Sequence, residues 1–221
     1  MRRSGTDIQA SLQELAGRTR ALDGKRLVVG VQKEAGKNRF GETLSASDDL
    51  MMIAHVQEYG QHITPKHSKY LSVPIHAEAM GKSPRNFDGF FFTSRNGNLI
   101  FARKNDATPS GMEPLFAMVD SVTIPARPFV AKGYAKVRHG VLESADWRND
   151  VAAYMRGEAT LEVLIDTLGK RLAEVTADAM VTVTPASSSA YKNRKADAGG
   201  SPQTLVYTGE LRRHITYRGE G

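Results

Sequence analysis

Apolar residues return with a helical period in several stretches of this chain and with a strand period in others. Ile8, Leu12, Leu15 and Leu22 share one helical face. Thr6 and Gln9 have capping-box spacing, and Gly24 supplies a stop. Arg26-Leu27-Val28-Val29-Gly30-Val31 is a short β-branched run, read as a buried strand, and the polar, glycine-containing residues 33–46 are read as a loop. Ser47 and Asp48 open a second helix through Ile53, Val56 and Tyr59 that Gly60 closes. Residues 61–88, with Pro65, Pro74 and Pro84, are expected to be extended and loop-rich. Phe90–Arg95 and Leu99–Arg103 flank Asn96-Gly97, which predicts a hairpin with a type I′ turn.

Leu115–Ile124 reads as another strand, and Pro125-Ala126-Arg127-Pro128-Phe129 as a rigid junction with Pro128 opening a helix. In that helix Val130, Tyr134, Val137 and Val141 are expected on one apolar face. A polar patch at Asp146–Asp150 precedes a short helical stretch. The strongest helix starts near Thr160, with a stripe from Leu161 through Leu164, Ile165, Leu168, Leu172, Val175 and Ala179 and an Asp166–Lys170 pair one turn apart. Residues 184–203 read as a long flexible loop by composition, before a last strand at Ile215-Thr216-Tyr217. The fold class this predicts is α+β, a mostly antiparallel sheet with helices packed on one face, plus a loop-rich β-hairpin region.

Composition narrows the function. Of the 221 residues, 40% are hydrophobic, enough for a core, and there is no apolar run of spanning length or secretory leader, so no membrane association is expected. The chain has no cysteine, which excludes disulfides, thiolate metal sites and a cysteine nucleophile. Its formal charge of +6 favours polyanionic partners, nucleic acid first, with an ordinary soluble protein that happens to be basic as the plain alternative. The case for an enzyme rests on His55 and Glu58 at i,i+3 with His62, His67 and His76 nearby. That i,i+3 spacing is used in metal sites, but His62 to His76 lie in the proline-rich stretch with no regular spacing and no second motif matches, and no phosphate loop, nucleophile elbow or zinc-binding helix motif occurs, so no catalytic residue, metal or cofactor is expected.

Three strings change the picture. Ile53-Ala54-His55-Val56-Gln57-Glu58-Tyr59-Gly60, Ile124-Pro125-Ala126-Arg127-Pro128-Phe129, and Leu205-Val206-Tyr207-Thr208-Gly209-Glu210-Leu211 followed by Ile215-Thr216-Tyr217 resemble, in this order and with a long helix between the last two, the neck and tail-completion (virion morphogenesis) family of tailed phages. In compact members the first two strings lie close in sequence. Here residues 61–123 separate them, which implies a core of 1–60 and 124–221 with 61–123 inserted.

The resemblance implies a non-enzymatic virion protein, made in the host cytoplasm and placed in the neck or tail. It would act as a head-tail joining or tail-completion ring subunit, six copies being favoured and twelve the alternative. Its partners would be further copies of itself, neighbouring neck and tail proteins, and DNA threading the ring through phosphate contacts only. Pro125, Arg127, Pro128 and Phe129 would form a structural corner, Arg127 bridging carbonyls or an acidic group with its planar fork. Lys132, Lys136 and Arg138 lie in a stretch, Ser121–Leu142, without Asp or Glu. Together with Lys192, Arg194 and Lys195 they are candidates for the DNA lumen or a subunit contact, and a solvated helix face is the plain alternative. Phe90, Phe91, Phe92 and Tyr191 are candidates for intersubunit contact, against a two-sided packed strand. The rival reading is a sequence-nonspecific nucleic-acid-binding accessory protein, monomeric or dimeric.

Overall fold

A computed structural model describes residues 5–206 and 208–220 of the chain, with the side chains of residues 5–7 left aside. The Thr6 side chain that would cap the helix and Tyr207 therefore lie outside what is described. The fold is α+β with every strand pair antiparallel, and it divides into two compact units.

The first unit comprises residues 1–54, 128–181 and 210–221. Its sheet runs β1-β10-β2-β3, with β1 Arg26–Val31, β2 Gly36–Asn38, β3 Thr43–Leu44 and β10 Ile215–Glu220. β1 is an edge strand in which only Gly30 is buried, so the expectation of a buried strand is corrected. The stretch read as a loop holds the β2–β3 hairpin. Its turn is organised by Asn38, 1% exposed, whose Oδ1 accepts from the Phe40 and Glu42 amides (2.9 and 3.0 Å).

α5, Leu161–Ala179, packs on this sheet, starting where Thr160 Oγ1 accepts from the Val163 amide. Its deepest positions include Gly169, Ala173, Thr176 and Ala177, so small residues let the sheet and α3 (Phe129–Val137) approach. A Cβ on Gly169 would overlap the Tyr217 ring, and one on Gly133 would come within 2.8 Å of Thr176 Cα. The expected apolar face of α3 is corrected at Tyr134, since Val130 and Val137 are half-buried and Val141 is 3% exposed. Phe129 and Gly133 are its buried residues, while Tyr134 stands 79% exposed. A wide turn at Arg138–Leu142 then buries Val141. The polar patch is the first part of α4, Ala145–Arg156, which Ser144 caps by accepting from the Trp147 amide. α1, Gly5–Leu22, joins the body through α4.

The second unit comprises 55–127 and 182–209. The expected insertion 61–123 is one part of it, and 182–209 belongs with it rather than with the core. α2, Asp48–Tyr59, capped by the Ser47 hydroxyl (3.2 Å to the Leu50 amide), contributes its last residues here. Leu115–Ile124 is two strands, not one. β8, Met112–Val119, is central in the sheet β5-β8-β7-β6, whereas β9, Val122–Ile124, pairs with β4, Gln61–Ile63. The other strands of that sheet are β5 Leu71–Pro74, β6 Phe90–Thr93 and β7 Leu99–Lys104.

A register shift between Phe101 and Ala102 accommodates Pro114, which cannot donate to a ladder, and lets consecutive Leu115 and Phe116 both reach 0% exposure. With Phe101 and Ala79 they form this unit's core, closed by Phe87 and Met118. The β6–β7 hairpin is present, but its turn is not type I′. Gly97 donates to the Ser94 carbonyl (2.9 Å), the Ser94 amide donates to Asn98, and among the turn residues only Gly97 has positive φ, at 80°. This is a type I turn followed by a left-handed glycine, which the Asn-Gly pair serves equally well. Residues 184–203 are not a structureless loop either. They contain α6, Ser189–Asp197, capped by Ser188 accepting from the Tyr191 amide. A short α7, Glu210–Arg213, returns the chain to the first unit before β10.

Candidate functional site

The junction after β9 is where two of the three strings meet. Gly60 ends α2 with φ 75°, and the next residue, Gln61, pairs with Ile124. A Cβ on Gly60 would sit 2.7 Å from the Ala126 nitrogen and 2.9 Å from the Ile124 carbonyl oxygen, so both the backbone angle and the contact require glycine. Arg127 then binds in three ways. Its amide donates to the Gln57 carbonyl (2.7 Å), Nε donates to the Pro185 carbonyl (2.8 Å), and a terminal nitrogen donates to Gln57 Oε1 (3.3 Å).

The half-buried guanidinium thus ties the helix end at Gln57, its own corner and the segment at Pro185 into one node. Pro125 and Pro128 keep the corner extended. Pro128 is the residue before the helix rather than its first member, and the Lys132 amide donates to its carbonyl. Phe129, at 0% exposure, anchors the start of α3 in the first unit.

The basic candidates separate. Lys132 and Lys136 are one turn apart, while Tyr134 and Arg138, also one turn apart, are offset from them by two residues and therefore turn to another side. Arg138 lies 3.4 Å from Glu143, its side chain 80% exposed. On α6, Lys195 is not a surface cation, and its assignment to a DNA or subunit face is corrected. It is 3% exposed and donates to the carbonyls of Gln203 (2.8 Å) and Val206 (2.7 Å). Burial lowers its pKa below the usual lysine range, with Lys192 adding to the effect.

Tyr191 is exposed, its ring 5.8 Å from the Arg194 guanidinium and 5.9 Å from the Lys195 ammonium, and Lys192 is half-exposed. The three phenylalanines alternate. Phe90 and Phe92 share one side of β6 with ring centroids 6.4 Å apart, and Phe91 lies against Phe101 on the other while remaining 56% exposed.

The histidines do not converge. His62 Nδ1 meets Thr123 Oγ1 across β4–β9 at 2.9 Å. His76 Nδ1 accepts from the Glu78 amide, its Nε2 lies 3.3 Å from Glu113, and the His55 ring packs on Tyr59. Among the described residues no group of three or more His, Cys, Asp or Glu side chains is placed to hold a metal ion.

Sequence reasoning missed a polar cluster in the first unit. The Tyr217 hydroxyl donates to Asp166 Oδ1 (2.8 Å), Lys37 reaches the same oxygen (3.2 Å) and Lys170 reaches Oδ2 (2.8 Å). The Lys170 hydrogen bond leads in lowering the Asp166 pKa to about 2, and burial pushes the Tyr217 phenol up. An open groove of about 660 Å³ beside the cluster is floored by Leu161 and Ile165 and edged by Thr43 and Gly219. Only the Asp166–Lys170 spacing was visible in the sequence. Lys37 and Tyr217 come from distant strands.

No protein-family model, curated protein or solved structure matches the chain.

Proposed function

We propose that this chain is a structural subunit of the head-tail connector or tail-completion assembly of a tailed phage, working mechanically rather than catalytically as a member of a ring. The observation that carries the reading is the node at Arg127. Two of the three strings that resemble the neck family, separated by residues 61–123, touch through Gly60 and the 124–126 backbone and are tied by the Arg127–Gln57 bonds. Residues in this arrangement set chain directions and brace a junction, as subunits of a load-bearing collar require.

The alternative of a nucleic-acid-binding accessory protein is weakened by the burial of Lys195 and by the divergence of Lys132 and Lys136 from Arg138. What basic surface remains suits occasional phosphate contacts better than a dedicated binding face. The test is removal of the gene from the phage that encodes it. Filled heads and finished tails accumulating unjoined, seen by electron microscopy, is the expected result. Joined, infectious particles in normal numbers would refute the proposal.

A further inference from the structure

The sheet β5-β8-β7-β6 of the second unit has two ends that differ in charge. At one end the cations are matched by carboxylates. Arg103 donates to Glu78 (2.7 Å) and Glu113 (2.6 Å), and His76 Nε2 lies 3.3 Å from Glu113.

At the other end three connections leave the sheet side by side. Ile63 pairs with Val122 and Leu71 with Val119, so the β8–β9 link is only Asp120 and Ser121 while the β4–β5 link is residues 64–70. The longer link has to bulge outward. Leu99 pairs with both Met118 and Thr93, which brings the turn 94–98 to the same end. Lys66, His67, Lys69 and Arg95 stand there, all exposed, and none makes a hydrogen bond or ion pair among the described residues. Lys69 lies 5.2 Å from the Tyr70 ring, a contact that steers the ammonium and leaves its charge. Asp120 is the only carboxylate in the three connections. The tips are held in shape, Ser68 Oγ donating to the Tyr70 carbonyl (2.8 Å) and the Gly97 amide to the Ser94 carbonyl (2.9 Å).

What this end binds follows from what it offers and what it lacks. A protein partner draws most of its binding energy from aromatic and other anchors that fill pockets. None of the exposed large hydrophobic residues falls in 64–70, 94–98 or 120–121. The groups present are ammonium, guanidinium, imidazole, the amides of Asn96 and Asn98 and the Thr64 hydroxyl, donors that hold phosphate oxygens. Three strand spacings separate β5 from β6, about 14 Å. Charges on one DNA strand recur about every 3.4 Å of rise, so the row covers several of them.

We propose that this end of the sheet is a contact surface for the phosphate backbone of double-stranded DNA, engaged without regard to sequence. The proposal deepens the connector reading and rests on it for the choice of DNA as the polyanion. Lys66, Lys69 and Arg95 sit in separate links of the chain, and only the sheet brings them to one end.

The test is fluorescence anisotropy of the full chain with two labelled duplexes of unrelated sequence, about 25 base pairs each, titrated from roughly 20 to 150 mM salt. Both duplexes are expected to bind alike. Lys66→Ala/Lys69→Ala/Arg95→Ala is expected to lower the salt slope of the affinity by about 2–3 and to weaken binding roughly tenfold or more at low salt. Lys104→Ala, which removes an exposed cation from the opposite end, is expected to leave the slope unchanged. All four positions are exposed, so the unfolding temperature should match that of the native chain. No binding by the native chain at the lowest salt, an unchanged slope in the triple variant, a slope lowered as much per charge by Lys104→Ala, or a marked preference for one duplex overturns the proposal. None of these outcomes touches the connector reading, which stands or falls on the presence of the chain in the particle.

Discussion

The two longest helices, α1 and α5, carry apolar stripes of the same period, and the chain treats them in opposite ways. α5 is pressed between sheet and helices, and the positions that let it settle are small: Gly169, Ala173, Thr176 and Ala177. On α1 the stripe residues Ile8, Leu12 and Leu15 are 50%, 61% and 43% exposed, and only Leu22 at its end is half-buried. Periodicity tells which face of a helix seeks cover. It does not tell whether the cover comes from the same chain. The discriminating feature is the small residue, because close approach within a fold demands it, while a stripe of large side chains separated by polar residues serves a partner equally well.

Substitutions sharpen the contrast. Gly169→Val, placing atoms in the volume of the Tyr217 ring, is expected to cost about 3 kcal/mol or more, or to prevent folding, as read by denaturant titration. Leu164→Ala, at 3% exposure in the same helix, should cost about 2–3 kcal/mol.

The same contrast of inward and outward groups holds at the corner. Arg127→Ala leaves the Pro185 carbonyl and the Gln57 amide oxygen without their donor and is expected to cost about 1–3 kcal/mol, while Lys136→Ala, at an exposed position, costs under about 0.5 kcal/mol. If the corner bears load in the particle, phage titre drops for the first variant and holds for the second.

Asp166 gives a pH signature. Its folded pKa of about 2 lies below the ordinary 3.8, so its contribution is complete above about pH 4 and is lost as pH falls through 2. Screened by solvent, it is on the order of 1 kcal/mol, and Asp166→Asn should flatten that part of the acid-unfolding curve. The smallest effect belongs to α1. Leu12→Ala should change the stability of the isolated chain by less than about 0.5 kcal/mol, and a loss comparable to that of Leu164→Ala would break the comparison.

How much was legible in the sequence follows the same line. Helix ends set by local chemistry were readable: Ser47 as an opening, a helix start near Thr160, Gly24 and Gly60 as stops, and the hairpin at Asn96-Gly97. What depended on distant partners was not. Leu115–Ile124 looks like one strand because its apolar residues run on either side of Asp120-Ser121, a polar pair that breaks β8 from β9 but does not tell that they serve different sheets.

Residues 184–203 looked unstructured because three consecutive serines, Gly199-Gly200 and two prolines punctuate them, yet Lys195 finds two carbonyls and Ser188 caps a helix there. A lysine gives no local sign that it will turn inward. The α3 face was misjudged because Gly133, the residue that lets α5 approach, scores as nothing on a hydrophobic pattern, and Tyr134 scores as core. At the candidate site the corner residues were all identified, but Gln57 and Pro185 as the partners of Arg127, and the reason for Gly60, needed the three-dimensional contacts.

The central claim, that the chain is a structural part of a phage neck or tail junction, is tested most directly by mass spectrometry of purified, infectious tailed particles. The account predicts peptides of this chain at a fixed, ring-sized copy number per particle, retained when tails are isolated with their collars. Mature particles that are infectious and free of the chain would contradict it.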